Sequence, residues 1–139
     1  MASALIDASA MVALFGLREK AAIRYHELLE LASLERWSLS TTWPCVVEAS
    51  YLVPPPNRFA LLSWLGNGAV SVFPFQQEAL VDFIPLMQRY TDQPRTEMDL
   101  ADASLVWLAT ETGVTRIMTT DVRDFSRYRL PDGRAFEIL

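Results

Sequence analysis

The chain has only one cysteine, one histidine and one lysine, and each scarcity excludes a class of protein. Cys45 alone cannot form an internal disulfide, and without a CxxC pair or a His cluster there is no structural zinc site. No run of about 18 uninterrupted apolar residues occurs, so no membrane span is expected. The apolar start lacks a basic leader and contains Asp7, so export is not expected. These features predict a cytoplasmic protein.

The composition is typical of one globular domain that covers residues 1–139, with 51% hydrophobic and 21% charged residues. A net charge of −5 argues against a protein that binds nucleic acid through overall charge alone. The basic residues are unevenly distributed, however, because five of the twelve fall within the last 24 positions. A local basic patch therefore remains possible near the carboxyl end. Its members are Arg116, Arg123, Arg127, Arg129 and Arg134.

Apolar runs alternate with segments of helical periodicity along the whole chain. Predicted strands cover 3–6, 38–41, 70–73 and 116–119, with a possible edge strand at 135–139. Predicted helices cover 8–15, 20–34, 44–53, 58–65, 76–90 and 99–112. Pro85 is expected to kink or divide its helix, the basic stretch after Asp121 is expected to be irregular, and the four tryptophans are expected in the core.

This alternation predicts an α/β fold with a mostly parallel β-sheet of four to five strands and helices on both faces. In such folds, binding sites lie beyond the carboxyl ends of the strands. Asp7 and Asp121 each follow directly on a predicted strand. The two acids are therefore expected to share a site.

Two further acids lie within helices that are otherwise suited to the core. Glu48 is the only acid of its helix, and Asp102 lies near the start of another helix, for which Asp99 is the expected N-cap. Each acid alone has a structural alternative, since an Asp after a strand is an ordinary N-cap and Glu48 could pair with an arginine. Four acids on four separate elements, with almost no lysine to neutralise them, are harder to explain as caps.

A divalent cation such as Mg²⁺ or Mn²⁺ would remove the repulsion among these carboxylates, because hard cations prefer oxygen ligands. Bound metal also converts an acidic pocket into one that attracts phosphate. The chemistry predicted is metal-assisted hydrolysis of a phosphodiester, which requires no histidine base. His26 is therefore interpreted as a surface residue.

Four short motifs contain or adjoin these acids, at 5–9, 48–52, 98–105 and 117–125. In them the sequence resembles PIN-domain ribonucleases, in particular the VapC-type toxins of bacterial toxin–antitoxin pairs. The motifs are weak individually but specific in this order and spacing, and the resemblance covers nearly the whole chain. The approach to the third motif, 92–97, is slightly longer than is usual in the family.

The resemblance implies a PIN-like (Rossmann-like) fold and a site with defined residue roles. Asp7, Glu48, Asp102 and Asp121 would be the catalytic, metal-binding acids, supported by Ser9, Thr119 and a fifth acid, Asp124. It also implies cleavage of cellular RNA, such as tRNA or rRNA, a homodimer, and inhibition by an antitoxin protein whose tail enters the groove. Separately, the basic tail suggests phosphate contacts from Arg123, Arg127 and Arg129, with a solvated face as the alternative.

Other functions fit the same residues less well. A phosphoacceptor receiver-like domain needs a lysine late in the fold, whereas the sole lysine is Lys20. A phosphatase of the haloacid dehalogenase type needs a second aspartate two residues after the first, where this chain has Ser9. A PIN-like scaffold that binds RNA or protein without cleavage remains the main alternative.

Overall fold

The computed structural model describes residues 2–16, 19–92 and 95–139. Within this part of the chain the strands are β1 (Ser3–Ile6), β2 (Ser38–Thr42), β3 (Ser71–Phe73), β4 (Arg116–Met118) and β5 (Glu137–Ile138). The helices are α1 (Ala8–Phe15), α2 (Glu19–Glu35), α3 (Trp43–Leu52), α4 (Asn57–Gly66), α5 (Leu80–Arg89), α6 (Leu100–Thr112) and α7 (Val122–Arg127). A 3-10 turn, Gln77–Ala79, precedes α5. None of the described helices is long and apolar enough to cross a bilayer.

The five strands form one all-parallel sheet in the order β3-β2-β1-β4-β5, which confirms the predicted α/β architecture. Strand order reverses at β1, because β2 and β3 extend to one side and β4 and β5 to the other. Residues Leu5 and Ile6 pair with Ile117 and Met118, and all four are fully buried. The carboxyl ends of β1 and β4 are therefore adjacent, at the position where open α/β sheets bind ligands.

Three helices begin with an aspartate whose side chain accepts a hydrogen bond from the first turn. Asp7 caps α1, Asp99 caps α6 and Asp121 caps α7. Asp7 and Asp121 closely follow β1 and β4, so each lies where the chain leaves a strand and starts a helix. Gly113, at φ 75°, ends α6 in the left-handed conformation that glycine adopts most easily.

Some predictions about local structure were wrong. The segment after Asp121 is the helix α7 and is not irregular, because Asp121 caps it and Phe125 anchors it in the core. Pro85 does not divide its helix, because α5 is a single α-helix from Leu80 to Arg89. Trp43 is 54% exposed, so it does not belong to the core. In the unusual segment 92–97, Gln93 and Pro94 lie outside the described residues.

Candidate active site

The acids predicted from the sequence meet in one pocket beyond the carboxyl ends of β1 and β4. The pocket has a volume of about 130 Å³ and is strongly acidic. Its lining includes the four predicted acids, Asp7, Glu48, Asp102 and Asp121. It also includes Asp124, together with Glu97 and Asp99. Acids from opposite ends of the sequence therefore lie at one place in the fold.

A hydrogen bond between two buried hydroxyls fixes the two helices that carry Glu48 and Asp102. Thr42, which precedes α3, and Ser104, in α6, have their oxygens 2.6 Å apart. Ser104 also donates to the carbonyl of Ala101 at 2.7 Å. Because both residues are fully buried, this contact holds the start of α3 against α6.

Asp7 is the most buried of the acids, with 4% of its surface exposed. Its Oδ1 accepts hydrogen bonds from the Ser9 hydroxyl at 2.7 Å and from the Ala10 amide at 2.9 Å. Its Oδ2 accepts a hydrogen bond from the Thr119 hydroxyl. Thr119 also accepts from the Asp121 amide at 2.9 Å, which connects the ends of β1 and β4. Both hydroxyls that the family resemblance implied therefore contact Asp7.

The tightest group of acids among the described residues is Asp102, Asp121 and Asp124, which offer one carboxylate oxygen each within 4.8 Å of one another. Oxygens that bind one Mg²⁺ at about 2.1 Å can lie no more than about 4.2 Å apart. Only one pair of the three can reach that limit, because neighbouring ligands of octahedral Mg²⁺ lie about 3.0 Å apart. The oxygens would therefore have to approach one another by up to about 1.8 Å to bind one ion. The donor set thus fits a hard divalent cation. Asp7 and Glu48 line the same pocket without belonging to this group.

Burial and mutual repulsion raise the pKa values of the pocket acids. Burial, followed by the charge of Asp99, raises the pKa of Asp102 to about 8. Burial also raises the pKa of Asp7, although Thr119 and Ser9 donate hydrogen bonds that lower it. For Glu48 the pKa is raised by burial and then by Asp99 and Asp7. The pKa of Asp121 is raised by burial and by the side chain of Asp124, although the Asp124 amide donates a hydrogen bond that lowers it. A nearby cation would favour the ionised form of each group.

The three arginines predicted to contact RNA are not equivalent. Arg127 lies 3.5 Å from Asp124 as an ion pair and donates to the carbonyl of Tyr90. Arg129 donates to the carbonyls of Ser126 and Tyr128. Arg123 is exposed on α7, one residue from Asp124. Arg123 is therefore the most exposed of the three.

Sequence reasoning missed Tyr128 and the second role of Asp99. The Tyr128 hydroxyl donates to Asp102 Oδ2 at 2.7 Å. Asp99 caps α6 as predicted, but it also lines the pocket and its charge raises the pKa of Glu48 and of Asp102. The spacing of Asp99 and Asp102 placed them on one helix face and could have revealed this second role. No local pattern marks Tyr128, because its partner lies 26 residues away.

No family model and no curated protein sequence matches the chain. Among solved structures, the chain is similar to VapC20 of Mycobacterium tuberculosis, described as a toxin that cleaves the sarcin-ricin loop. The two share 14% sequence identity, and the alignment covers 87% of this chain and 92% of VapC20 with a TM-score of 0.71. The similarity shows a common fold and confirms the PIN-like fold that the motifs implied.

Proposed function

We propose that the chain is a metal-dependent endoribonuclease that hydrolyses phosphodiester bonds in cellular RNA, with tRNA or rRNA as its substrate class. One observation carries the proposal: acids from four separate segments converge in one pocket at the switch point of the sheet. The shared fold with an RNA-cleaving toxin supports the same reaction. The enzyme would act in the cytoplasm, as the toxin of a toxin–antitoxin pair.

The proposed cofactor is Mg²⁺ or Mn²⁺, held by Asp7, Glu48, Asp102 and Asp121, with Asp124 as a further ligand. When bound, the ion would activate the attacking water and stabilise the departing oxygen. The chain's own residues prepare this site. Ser9 and Thr119 hold the carboxylate of Asp7 in one orientation through hydrogen bonds to its two oxygens.

We also propose that the chain binds an antitoxin protein and forms a homodimer. Trp43, Val47 and Tyr51 lie at helical spacing on α3 and are 54%, 64% and 81% exposed. With Leu100 they line an apolar cleft that shares Glu48 with the acidic pocket. Exposed apolar surfaces of this kind are typical of protein interaction sites.

The proposed activity predicts cleavage of cellular RNA by the purified protein with Mg²⁺ or Mn²⁺ and no cleavage with EDTA. Expression of the protein without an antitoxin should also arrest the growth of a bacterial host. Cleavage products are separated on denaturing gels, and growth is followed by optical density. RNA binding without cleavage in either metal would instead indicate the non-cleaving scaffold.

Arg123 provides a test of the RNA-binding surface. Replacing Arg123 by Ala should raise KM with little change in kcat, because a phosphate contact positions the substrate without entering the reaction. The slope of log affinity against log salt concentration should fall by about one. Arg36→Ala is the matched control, since Arg36 is exposed and lies before the amino end of β2, whereas the acidic pocket lies beyond the carboxyl ends of the strands. An equal effect of both substitutions would contradict a local contact at Arg123.

A further inference from the structure

Tyr128 is a fully buried side chain that ends α7, with only 1% of its surface exposed. Its ring packs edge-on against Tyr90 and Phe125, with centroid distances of 5.1 and 5.0 Å. These contacts leave the ring little rotational freedom. The direction of its hydroxyl is therefore fixed by the core.

That hydroxyl donates to Asp102 Oδ2 at 2.7 Å. The donor is neutral, whereas an arginine or a lysine at this place would cancel part of the negative charge that attracts a cation. Tyr128 therefore orients the carboxylate of Asp102 without neutralising it. One oxygen of Asp102 is held by the hydroxyl, and the other stays available as a ligand.

The helix α7 connects this hydroxyl to the other acids of the group. Asp121 caps the start of α7, and Tyr128 caps its end. Backbone hydrogen bonds from Phe125 to Asp121 and from Tyr128 to Asp124 connect the two ends at 3.2 and 3.1 Å. One short helix therefore sets the position of two acids directly and of the third, Asp102, through a side-chain contact.

We propose that Tyr128 is a positioning residue of the metal site, whose hydroxyl holds Asp102 in the orientation that completes the ligand group with Asp121 and Asp124. The inference rests on the proposed function, because it assumes that these acids bind a divalent ion. Hydrogen bonds to metal-binding side chains orient the ligands, and their loss reduces metal affinity or activity by about 10–100-fold. The effect of Tyr128 should therefore be visible in metal binding itself, without RNA.

The test is the affinity of the folded protein for Mn²⁺, measured by electron paramagnetic resonance of the free ion. Tyr128→Phe removes one oxygen and keeps the ring, and it should weaken Mn²⁺ binding at least about tenfold. Tyr90→Phe is the matched control. It removes a hydroxyl from the same aromatic cluster, where that oxygen accepts from the Arg129 amide at 3.0 Å. This control should leave the Mn²⁺ affinity within about twofold, even where thermal unfolding shows lower stability.

A double substitution tests whether the effect acts through Asp102. In an Asp102→Asn background, Tyr128→Phe should produce little further loss of Mn²⁺ affinity, because the carboxylate it orients is already absent. Unchanged affinity in folded Tyr128→Phe would overturn the inference, and so would an equal loss in Tyr90→Phe. A wild-type protein that binds no Mn²⁺ would instead overturn the proposed function itself.

If Tyr128→Phe does not fold, the wild-type protein still decides the question. Tyrosines labelled with ¹³C at Cζ report on their hydroxyls by nuclear magnetic resonance. Mg²⁺ should shift the Tyr128 resonance more than that of Tyr90, and the exposed Tyr51 serves as reference. A Tyr128 resonance that does not respond to saturating Mg²⁺ would overturn the inference.

Discussion

Replacing Asp102 by Asn should lower metal-dependent RNA cleavage by at least about 10²–10³-fold while making the metal-free protein more stable. The activity falls because the amide cannot supply an anionic ligand. The stability rises near pH 8 and above because the substitution removes a partly buried charge beside Asp99. The introduced amide still offers an oxygen to the Tyr128 hydroxyl, so the local fold is retained. Asp7→Asn should also abolish cleavage.

The measurement is single-turnover cleavage with saturating Mg²⁺, paired with thermal unfolding of the same samples in EDTA. Asp82→Asn is the control, because Asp82 is an exposed acid in the first turn of α5, outside the pocket lining. It should leave cleavage unchanged and should not raise stability, because the charge of Asp82 favours the amino end of its helix. Undiminished cleavage by both Asp7→Asn and Asp102→Asn would end the nuclease proposal. A loss of activity accompanied by a loss of stability would point to a structural role for Asp102.

The metal-free protein should lose stability as pH rises from about 4 to about 8, and saturating Mg²⁺ should reverse most of that loss. The pKa of Asp102 is about 8 in the fold and 3.8 as its ordinary value. Between these values the folded state binds more protons than the unfolded state, so unfolding becomes easier as pH rises. Asp7, Glu48 and Asp121 act in the same direction, because their pKa values are also raised.

Urea unfolding at several pH values, with EDTA or with Mg²⁺, measures this dependence. A ligand at 100 times its Kd stabilises the folded state by about 2.7 kcal/mol, so the two series should diverge most at the alkaline end. In Asp102→Asn the EDTA series should depend less on pH. A metal-free protein that is equally stable at both ends of this range, or more stable at the alkaline end, would show that ionisation of the pocket acids does not destabilise the folded state.

Much of the fold could be predicted because strand ends and helix caps coincide in this sequence. The bounds of β1 and α1 were predicted to the residue, since Asp7 both ends the apolar run and caps the following helix. The helix α7 was missed because it is only six residues long and strongly charged, which leaves too little periodicity to recognise. The exposure of Trp43 was missed because sequence alone does not show which face of α3 packs inward.

For the candidate site, the sequence predicted which acids lie in one pocket, but it did not predict that Tyr128 contacts and orients one of them. Asp7 and Asp121 follow strands that proved to be neighbours, so topology alone brings their side chains to one edge. Tyr128 contacts Asp102 because the end of α7 lies close to the first turn of α6, which no local pattern specifies. Asp124 lies beside Asp121 and Asp102 because it is in the first turn of α7, and this helix was not predicted.

The account depends on the pocket acids binding a divalent ion together. Anomalous diffraction from crystals soaked in Mn²⁺, collected at the manganese edge, tests this most directly. We expect a peak in the pocket at about 2.0–2.4 Å from carboxylate oxygens of Asp102 and Asp121. A pocket without anomalous density at a Mn²⁺ concentration that supports RNA cleavage would contradict the account.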